Sequence, residues 1–315
     1  MIVVLAGGVG GSKFLWGLAQ EVGGESLSAV VNTGDDIEMH GLKICPDLDI
    51  VTYTLAGIVD AEKGWGFAGD TFECLRVLGR YGQPTWFNLG DRDLGTHIYR
   101  TQALRQGHRL TEVADAIRRA LGVQARILPM TDEAVTTYIL VGDGPIHSLH
   151  FQEYLVQEKA ANEIRGIEYR GSPRAHPTPE VLSALQEADG IFLAPSNPVA
   201  SIGPILAVPG IRACLRATRA PIVAISPVVG GHSLKGPTDK FLRWAGVEVS
   251  PLGVARLYSS ALDGLDGMLI DSMDAGETSR IEALGVIVRT GAIVMRSLED
   301  KQRVARLALE FLGAL

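Results

Sequence analysis

The first twenty residues, MIVVLAGGVGGSKFLWGLAQ, combine a short apolar strand, a glycine-rich loop and a helix. Residues 2–6 are almost wholly apolar and include three β-branched side chains, which is typical of a buried parallel strand. From Ser12 onward, apolar side chains recur at helical spacing, so the glycines lie where free backbone N–H groups at a helix N-terminus can bind a phosphate. The opening therefore predicts a nucleotide or diphosphate site after a first parallel strand.

The spacing of these glycines excludes two familiar nucleotide-binding motifs. In G-x-G-x-x-G the third glycine would fall on Ser12 or Lys13. A Walker A loop needs a four-residue spacer and a Gly-Lys-Ser/Thr ending, and both are missing. Lys13 can still contact a phosphate as a point charge. The alternative is a tight turn that uses glycine only for its backbone angles.

Composition limits the class of protein. The chain has 315 residues, of which 46% are hydrophobic and 21% charged, as in ordinary globular proteins. A net charge of −7 argues against a sequence-independent nucleic-acid surface, and an acidic protein that binds an anionic nucleotide is expected to need metal ions. Three widely separated cysteines exclude a disulfide framework. With no signal peptide or bilayer-length apolar stretch, we expect a cytoplasmic protein without a membrane anchor.

Strand-like apolar runs recur along the chain, each followed by glycine, proline, serine or asparagine. Amphipathic stretches such as Pro179–Ala188 and Asp300–Leu312 lie between them, and this alternation predicts a doubly wound parallel sheet with helices on both faces. The clearest runs are Ile2–Ala6, Ser28–Asn32, Gly190–Ala194, Pro221–Ser226, Gly267–Ile270 and Gly285–Arg289. Right-handed crossovers then bring every loop that follows a strand to one edge of the sheet.

The alternation changes between residues 37 and 171. This stretch holds two helical segments, then the run Ala125–Met130, then two strands joined by a Gly-Asp-Gly turn that indicates a hairpin. The helical segments are Asp70–Gly79 and Thr111–Leu121, and the strands are Val135–Val141 and Ile146–Phe151. We predict a nucleotide-binding core of residues 1–36 and 172–315 and an inserted smaller α+β lobe of residues 37–171. The cleft between them is the natural place for a second substrate.

The second predicted strand ends in Asn32-Thr33-Gly34-Asp35-Asp36. In a doubly wound sheet this end approaches the ribose or diphosphate, so the adjacent Asp35 and Asp36 can bind hydroxyls or hold a divalent ion. An Asp N-cap after a turn is the alternative, although one cap needs only one carboxylate.

Two further blocks are rich in carboxylates. The segment PDLD places Asp47 and Asp49 on the same side if the chain is extended there. Residues 88–97, NLGDRDLGTH, hold two Asp, an Arg and a His, a density of charge that is unfavourable on a loop unless a ligand organises it. Surface charges and helix caps are the alternative. His97 alone is more typical of a structural hydrogen-bonding residue than of a catalyst.

A third loop of this kind follows the strand near residue 194. In APSNP two prolines fix the backbone, while Ser196 and Asn197 offer donors and acceptors to a base or a phosphate. Residues 226–231, SPVVGG, end the next strand and bring flexible backbone to the same edge. A plain turn with a Ser or Asn cap would look similar. Three such loops together favour a nucleotide cleft.

Seven blocks of the sequence, taken together, resemble one known family. They are, in order, GGVGGSKFLWGL, VVNTGDD, CPDLD, WFNLGDRDLGTH, ILPMTD, APSNPVASIGPIL and ISPVVGG, and the match as a whole runs from the first strand to about Gly253. The chain resembles the CofD/FbiA family, the 2-phospho-L-lactate transferases of coenzyme F-420 biosynthesis. The resemblance implies an α/β fold with a Rossmann-like doubly wound parallel sheet. It also implies Mg²⁺-dependent transfer of a phospho-acid from a guanosine diphospho donor to the ribityl hydroxyl of 7,8-didemethyl-8-hydroxy-5-deazariboflavin, with release of GMP.

The resemblance implies roles for individual residues through their motif positions. Nucleotide binding is expected of Gly8, Gly10, Gly11, Lys13, Asn32, Ser196 and Asn197, and deazaflavin binding of Asp49 and Asn88. Mg²⁺ contact is expected of Asp35, Asp36 and Asp49, and catalysis of Asp49, Asp91, Arg92 and Asp93, which would orient the attacking hydroxyl or stabilise developing charge. We expect a homodimer, although the apolar C-terminal segment Arg303–Leu315 can equally form a dimer face or cover the sheet.

Two departures from archaeal-type members of this family bear on the donor. Those members often carry a lysine where Asn88 stands and Thr-Gly-Thr-Pro where residues 9–12 stand. Both departures favour the FbiA-like bacterial branch and leave lactyl, enolpyruvyl and glyceryl donors open. The alternative function is a non-catalytic nucleotide-sensing protein of the YvcK-like type, which would not need the PDLD and LGDRD blocks. The missing G-x-G-x-x-G disfavours a nicotinamide-dependent dehydrogenase.

Overall fold

The computed structural model describes residues 1–234 and 236–315, and these contain fourteen strands and twelve α-helices. The strands are β1 (Ile2–Ala6), β2 (Leu27–Val31), β3 (Ile37–Met39), β4 (Leu42–Ile44), β5 (Arg126–Pro129), β6 (Thr136–Val141), β7 (His147–His150), β8 (Ile164–Arg170), β9 (Gly190–Leu193), β10 (Ile222–Ile225), β11 (Val228–Val229), β12 (His232–Ser233), β13 (Gly267–Asp271) and β14 (Ile287–Gly291). The helices are α1 (Gly8–Val22), α2 (Pro46–Leu55), α3 (Glu73–Arg80), α4 (Asp93–Arg105), α5 (Leu110–Ala120), α6 (Pro179–Gln186), α7 (Ile202–Ala207), α8 (Pro209–Ala217), α9 (Thr238–Trp244), α10 (Pro251–Leu262), α11 (Thr278–Glu282) and α12 (Leu298–Leu312).

A parallel sheet of seven strands forms the centre of the described chain, in the order β14-β13-β10-β9-β1-β2-β5. The chain moves from β1 outward to β2 and β5, and then returns to β9 on the other side of β1. This reversal creates a topological switch point between β1 and β9, where ligands of open α/β sheets bind outside the carboxyl ends of the strands. The predicted doubly wound α/β fold is confirmed, and each of the six predicted strands lies within two residues of its observed bounds.

Both faces of the central sheet are buried, as the continuous apolar character of its strands requires. Along β1, Val3 and Leu5 pack into one hydrophobic cluster with helices α6, α7, α8 and α10. Val4 and Ala6 point to the other face and pack with α1, α2 and α12. Alternate residues of one strand therefore support two separate helical layers.

The C-terminal helix α12 belongs to the second of these layers. Val304, Ala305, Ala308 and Phe311 are buried against the sheet, and a Cβ added at Gly17 would overlap the carbonyl oxygen of Lys301. The backbones of α1 and α12 thus touch at a glycine. The sequence left two roles open for the segment Arg303–Leu315, a dimer face or a cover for the sheet. The structure shows this segment packed on the sheet. Among the described residues, no helix combines the length and the apolar composition that a membrane span requires.

The region between residues 37 and 171 contains the elements expected of a smaller lobe, with one difference. Strands β6 and β7 form the predicted antiparallel hairpin, and β8 adds a third strand. Strand β5, however, pairs in parallel with β2 and forms one edge of the central sheet. A lobe of residues 37–171 therefore includes one strand of the core sheet, because the crossover from β2 returns to that sheet before the hairpin begins. The division of the chain into two domains stays a prediction.

Candidate functional site

A cavity of about 710 Å³ opens at the carboxyl ends of β1 and β9, at the switch point of the sheet. Its walls come from the loops after β1 and β9, helix α2, the start of α4, residues 63–66, residues 151–156, the segment around β11 and β12, and residues 294–296. Of the residues predicted to be functional, the cavity is lined by Gly8, Gly10, Lys13, Asp49, Asn88, Asp93, Ser196 and Asn197. Predicted nucleotide and acceptor residues therefore share one cavity.

The glycine-rich loop expected before the first helix is itself the N-cap and first turn of α1, and it approaches the loop after β9 at backbone distance. Gly8 has φ of +64°, which favours glycine, and a Cβ at Gly10 would overlap the Pro195 carbonyl oxygen. The Ser196 hydroxyl donates to the Gly7 carbonyl (2.7 Å) and lies 2.8 Å from where a Cβ at Gly11 would stand. Glycine at these positions thus allows the two loops of the switch point to pack together.

Lys13 lies in the first turns of α1 and lines the same cavity. Its Nζ donates to the Met295 carbonyl oxygen at 3.1 Å. The ammonium is therefore positioned by a segment nearly the whole chain length away, beside the N-terminus of α1, where the Gly8 N–H donates to Asp47. A cation and a helix N-terminus in one place favour an anionic ligand.

The carboxylates of Asp35 and Asp47 share one donor, the side-chain amide of Asn32. Asn32 Nδ2 donates to Asp35 Oδ1 (3.0 Å) and to Asp47 Oδ2 (2.9 Å), and the Gly8 N–H donates to Asp47 Oδ1 (2.8 Å). Burial, followed by the neighbouring carboxylate charge, raises the pKa of Asp35 well above its ordinary value. Burial also raises the pKa of Asp47 to about 6, against the hydrogen bonds from Asn32 and Gly8. Asp47 lines the cavity, and its carboxylate lies against the glycine-rich loop.

Asp36 faces away from this pair. Its Oδ2 accepts from the Cys45 thiol (3.0 Å) and pairs with Lys43 Nζ (3.0 Å). Burial raises the pKa of the Cys45 thiol, which keeps it a neutral donor. Neither Asp35 nor Asp36 lines the cavity, and each has partners among the described residues, although Asp36 Oδ1 is buried without a hydrogen bond there.

The segment PDLD forms the first turn of α2, with Pro46 at the N1 position. The expectation that it is extended, with both carboxylates on one side, is wrong, because proline and acidic residues are favoured in a first helical turn. Two residues along a helix point in nearly opposite directions. Asp47 therefore faces the glycine loop, and Asp49 faces α4.

Asp49 and Asp93 belong to one buried network with three residues that the sequence analysis did not assign to the site. Arg100 donates from Nη1 to Asp49 Oδ2 (3.1 Å) and from Nη2 to Asp49 Oδ1, and Nη1 also lies 3.3 Å from His97 Nδ1. Tyr53 donates its hydroxyl to Asp93 Oδ1 at 2.7 Å. Burial raises the pKa of Asp49 despite Arg100. For Asp93, burial is outweighed by His97 and Tyr53, and its pKa lies below the ordinary value.

Asp49, Asp93 and His97 offer a group of ligand atoms for a cation. One atom of each lies within 4.8 Å of the others, and all three side chains line the cavity. His97 is buried, and its Nε2 has no hydrogen-bond partner among the described residues, although Asp93 Oδ1 is 3.3 Å away. Two carboxylates and one unpartnered ring nitrogen fit a divalent metal ion.

Asp91 and Arg92 lie outside the residues that line this cavity. Asp91 accepts from the Thr71 hydroxyl (2.6 Å) and from the backbone N–H groups of Glu73 and Cys74 (3.0 and 2.9 Å), which begin α3. These bonds, that of Thr71 first, lower the pKa of Asp91. Arg92 is exposed and donates to the Ala68 carbonyl at 3.2 Å.

A helical pattern could have identified the missed residues. Asp93, His97 and Arg100 are spaced i, i+4 and i+7, which places them on one face of α4. A loop interpretation of NLGDRDLGTH hides this pattern, which is visible only when the helix is continued to residue 100. Asp47, by contrast, belongs to the PDLD block, and a helical interpretation of that block is enough to identify it.

Comparison with known proteins gives one matching family model, described as 2-phospho-L-lactate transferase CofD, over residues 2–284. Curated relatives with the name phosphoenolpyruvate transferase match over almost their whole length. The protein of Streptomyces griseus is 46% identical over 98% of this chain and 97% of its own, and that of Mycobacterium tuberculosis is 40% identical over 100% and 99%. That of Nocardia farcinica is 43% identical over 99% and 95%.

Among solved structures, the fold is similar to that of a protein from Bacillus halodurans, represented by two crystal structures. One has a TM-score of 0.66 at 18% identity, and the other, described as a member of the UPF0052 family, has a TM-score of 0.64 at 16% identity. Each covers 98% of both chains. At this identity the likeness concerns the fold alone.

Proposed function

This chain belongs to the CofD family of 2-phospho-L-lactate transferases, and from that premise we propose that it transfers a phosphoenolpyruvyl unit from a guanosine diphospho donor to a deazaflavin acceptor in coenzyme F-420 biosynthesis. Its transferase activity follows from the family. The choice of the enolpyruvyl unit among the possible acids is supported by the names of the relatives, which are 40–46% identical over nearly the whole chain.

One observation carries this proposal. The glycine-rich loop and Lys13, which suit a diphosphate, line the same cavity as Asp49, Asp93 and Asn88, which suit a polyhydroxylated acceptor. A group-transfer enzyme that forms no covalent intermediate must hold donor and acceptor together, because positioning supplies much of the rate. One cavity with two chemically different ends meets that requirement.

In the proposed reaction, the primary ribityl hydroxyl of the deazaflavin attacks the phosphorus that carries the enolpyruvyl group. A bond forms between the hydroxyl oxygen and phosphorus, the bond from phosphorus to the bridging oxygen breaks, and GMP leaves with that oxygen. The proton of the hydroxyl must go to a base. Asp93, which lines the cavity and is held by Tyr53, can orient the hydroxyl and accept its proton. The N–H groups at the start of α1 and Lys13 would stabilise charge on the diphosphate.

We further propose that Mg²⁺ participates, held by Asp49 and Asp93. The fit rests on their convergence with His97, since carboxylate oxygens are the protein ligands that Mg²⁺ prefers. When bound, the ion would neutralise negative charge on the phosphoryl oxygens. Asp35 and Asp36 face other partners, so a role for them near the ion would be indirect.

The proposal is tested with purified protein, the deazaflavin, Mg²⁺ and three guanosine-linked donors that carry lactyl, enolpyruvyl and glyceryl groups. Mass spectrometry of the product from competing donors should detect mainly the enolpyruvyl adduct, with one GMP per adduct, and EDTA should stop the reaction. A dominant lactyl or glyceryl adduct would correct the donor but keep the reaction. Tight GDP binding without any adduct would favour the nucleotide-sensing alternative.

A further inference from the structure

The segment of residues 292–296, between β14 and α12, lies beyond the family match and is fixed by contacts on several sides. Arg303 donates to the carbonyl oxygens of Ala292 (3.3 Å) and Val294 (3.2 Å). The Ile293 N–H donates to Asp271 Oδ2 (3.0 Å). Such a segment presents its side chains from a defined position, as a binding site requires.

The C-terminal end of this segment is also held by contacts with α1 and α12. The Met295 carbonyl accepts from Lys13 Nζ, and the Arg296 N–H donates to Asp300 Oδ2 (2.9 Å) in the capping box of α12. Because Lys13 bonds to Met295, the segment lies at the end of the cavity where we propose that the diphosphate binds. Residues 294–296 form part of the cavity wall there.

Arg296 is the residue of this segment whose side chain is not used by the fold. Arg296 is exposed, and its guanidinium makes no hydrogen bond or ion pair within residues 1–234 and 236–315, whereas the Arg303 guanidinium of α12 is held by carbonyls and Asp300. An arginine that lines a cavity with its five N–H donors free suits an anion, and phosphate above all.

The charge balance of the cavity gives a second reason for such a residue. Asp47 lines the cavity beside the glycine-rich loop, and its charge opposes the entry of a diphosphate, whereas the charge of Asp49 is offset by Arg100. Lys13 supplies one positive charge near the glycine loop, and part of its hydrogen-bonding capacity is used by Met295. A second cation beside Lys13 would offset the Asp47 carboxylate where the diphosphate enters.

We propose that Arg296 is a phosphate-binding residue of the donor site, which contacts the diphosphate beside Lys13. This inference rests on the proposed function for the identity of the nucleotide. It adds to the site a residue that follows the last position of the family match, residue 284. The alternative is that Arg296 is a solvated surface charge.

The experiment compares wild type with Arg296→Gln, Arg296→Lys and the control Arg289→Gln. Arg289 is an exposed arginine on β14 that does not line the cavity. Isothermal titration calorimetry at fixed ionic strength measures the Kd of GDP, inorganic pyrophosphate and guanosine, and thermal unfolding checks that each variant folds. We expect Arg296→Gln to weaken the binding of GDP and of pyrophosphate roughly 10-fold or more, because a charge-assisted bidentate contact is lost. The Kd of guanosine should not change. Arg296→Lys should lose less affinity for GDP and pyrophosphate, and Arg289→Gln should lose none.

The outcomes separate this inference from the proposed function. Unchanged GDP and pyrophosphate binding in Arg296→Gln, or equal weakening of guanosine and GDP, would overturn the inference and leave the function standing. If wild type binds pyrophosphate through Arg296 but not GDP, the guanosine donor is wrong and the phosphate-binding role holds. If wild type binds neither ligand, both proposals fail.

Discussion

Arg100 donates from both terminal nitrogens to the two carboxylate oxygens of Asp49, and both side chains are at least 92% buried. A bidentate pair of this kind fixes the orientation of the carboxylate as well as its charge. Breaking such a pair from one side leaves an uncompensated buried charge, which is strongly destabilising. Asp49 is therefore held in one position at the wall of the cavity, and the role proposed for it depends on a residue of another helix.

Replacement of Arg100 by lysine tests this orientation. Lysine keeps the positive charge but cannot donate two parallel hydrogen bonds, so we expect kcat to fall at least about 10-fold while the protein still folds. Steady-state kinetics together with thermal unfolding measure both effects.

A double replacement serves as the control. In Asp49→Asn/Arg100→Gln neither buried charge remains, so stability should recover relative to Arg100→Gln alone, whereas activity should not. If the double variant regains activity with its stability, Asp49 has only a structural role.

Asp93→Asn separates chemistry from stability better than Asp49→Asn. An asparagine oxygen can still accept from Tyr53, so the free energy of unfolding should change by only about 1 kcal/mol. Loss of the ionised oxygen should lower kcat by about 10²-fold or more, the size usual for a general base, and should raise the Mg²⁺ concentration needed for half-maximal rate. A metal titration of the activity measures this shift, and an unchanged rate with unchanged Mg²⁺ dependence would exclude Asp93 from the reaction.

Asp91, one of the residues expected to be catalytic, is predicted by its contacts to stabilise the start of α3. Asp91→Ala removes the acceptor of two backbone N–H groups and of the Thr71 hydroxyl, and should lower the free energy of unfolding. Urea denaturation measures that loss, and we expect kcat of the folded variant to stay within about two-fold of wild type. A large loss of kcat at unchanged stability would instead support the catalytic role.

The sequence predicted the repetitive parts of this molecule better than the site. Strand β1 and the alternation of apolar runs depend on local pattern, and so do the family motifs, whose resemblance the family match confirms. The extended conformation expected for PDLD and the loop expected for the LGDRD block are both wrong for the same reason. A helix begins within each of these blocks, α2 at Pro46 and α4 at Asp93. The pairing of Asp49 with Arg100 joins residues 51 positions apart and could not be inferred from spacing. The placement of residues 294–296 at the cavity likewise depends on how β14 and α12 pack.

Gly10→Ala tests whether the two loops at the switch point must touch. The added methyl group would overlap the Pro195 carbonyl oxygen, a backbone atom that cannot move away alone. We expect a lower melting temperature and weaker GDP binding, because the loops must separate. Gly95→Ala is the matched control, since it lies in α4 with nothing within 4 Å of the added methyl, and should be neutral or stabilise by about 1 kcal/mol. Equal melting temperatures of the two variants would contradict the close approach.

The buried pair of Asp35 and Asp47 makes stability depend on pH in a defined direction. Burial raises both pKa values, that of Asp47 from 3.8 to about 6, so the folded protein keeps protons that the unfolded chain has already released. The resulting stability is fully present below about pH 4 and is lost as the pH rises through about 6, at most about 3 kcal/mol for Asp47. Asp35→Asn keeps the acceptor for Asn32 and removes one buried charge. It should raise the free energy of unfolding at pH 7 by about 1–3 kcal/mol and give little gain at pH 4. Urea denaturation from pH 4 to 7.5 measures the difference, with the exposed carboxylate of Asp143, replaced by Asn, as the control. A gain that is the same at every pH would show that charge is not the cause.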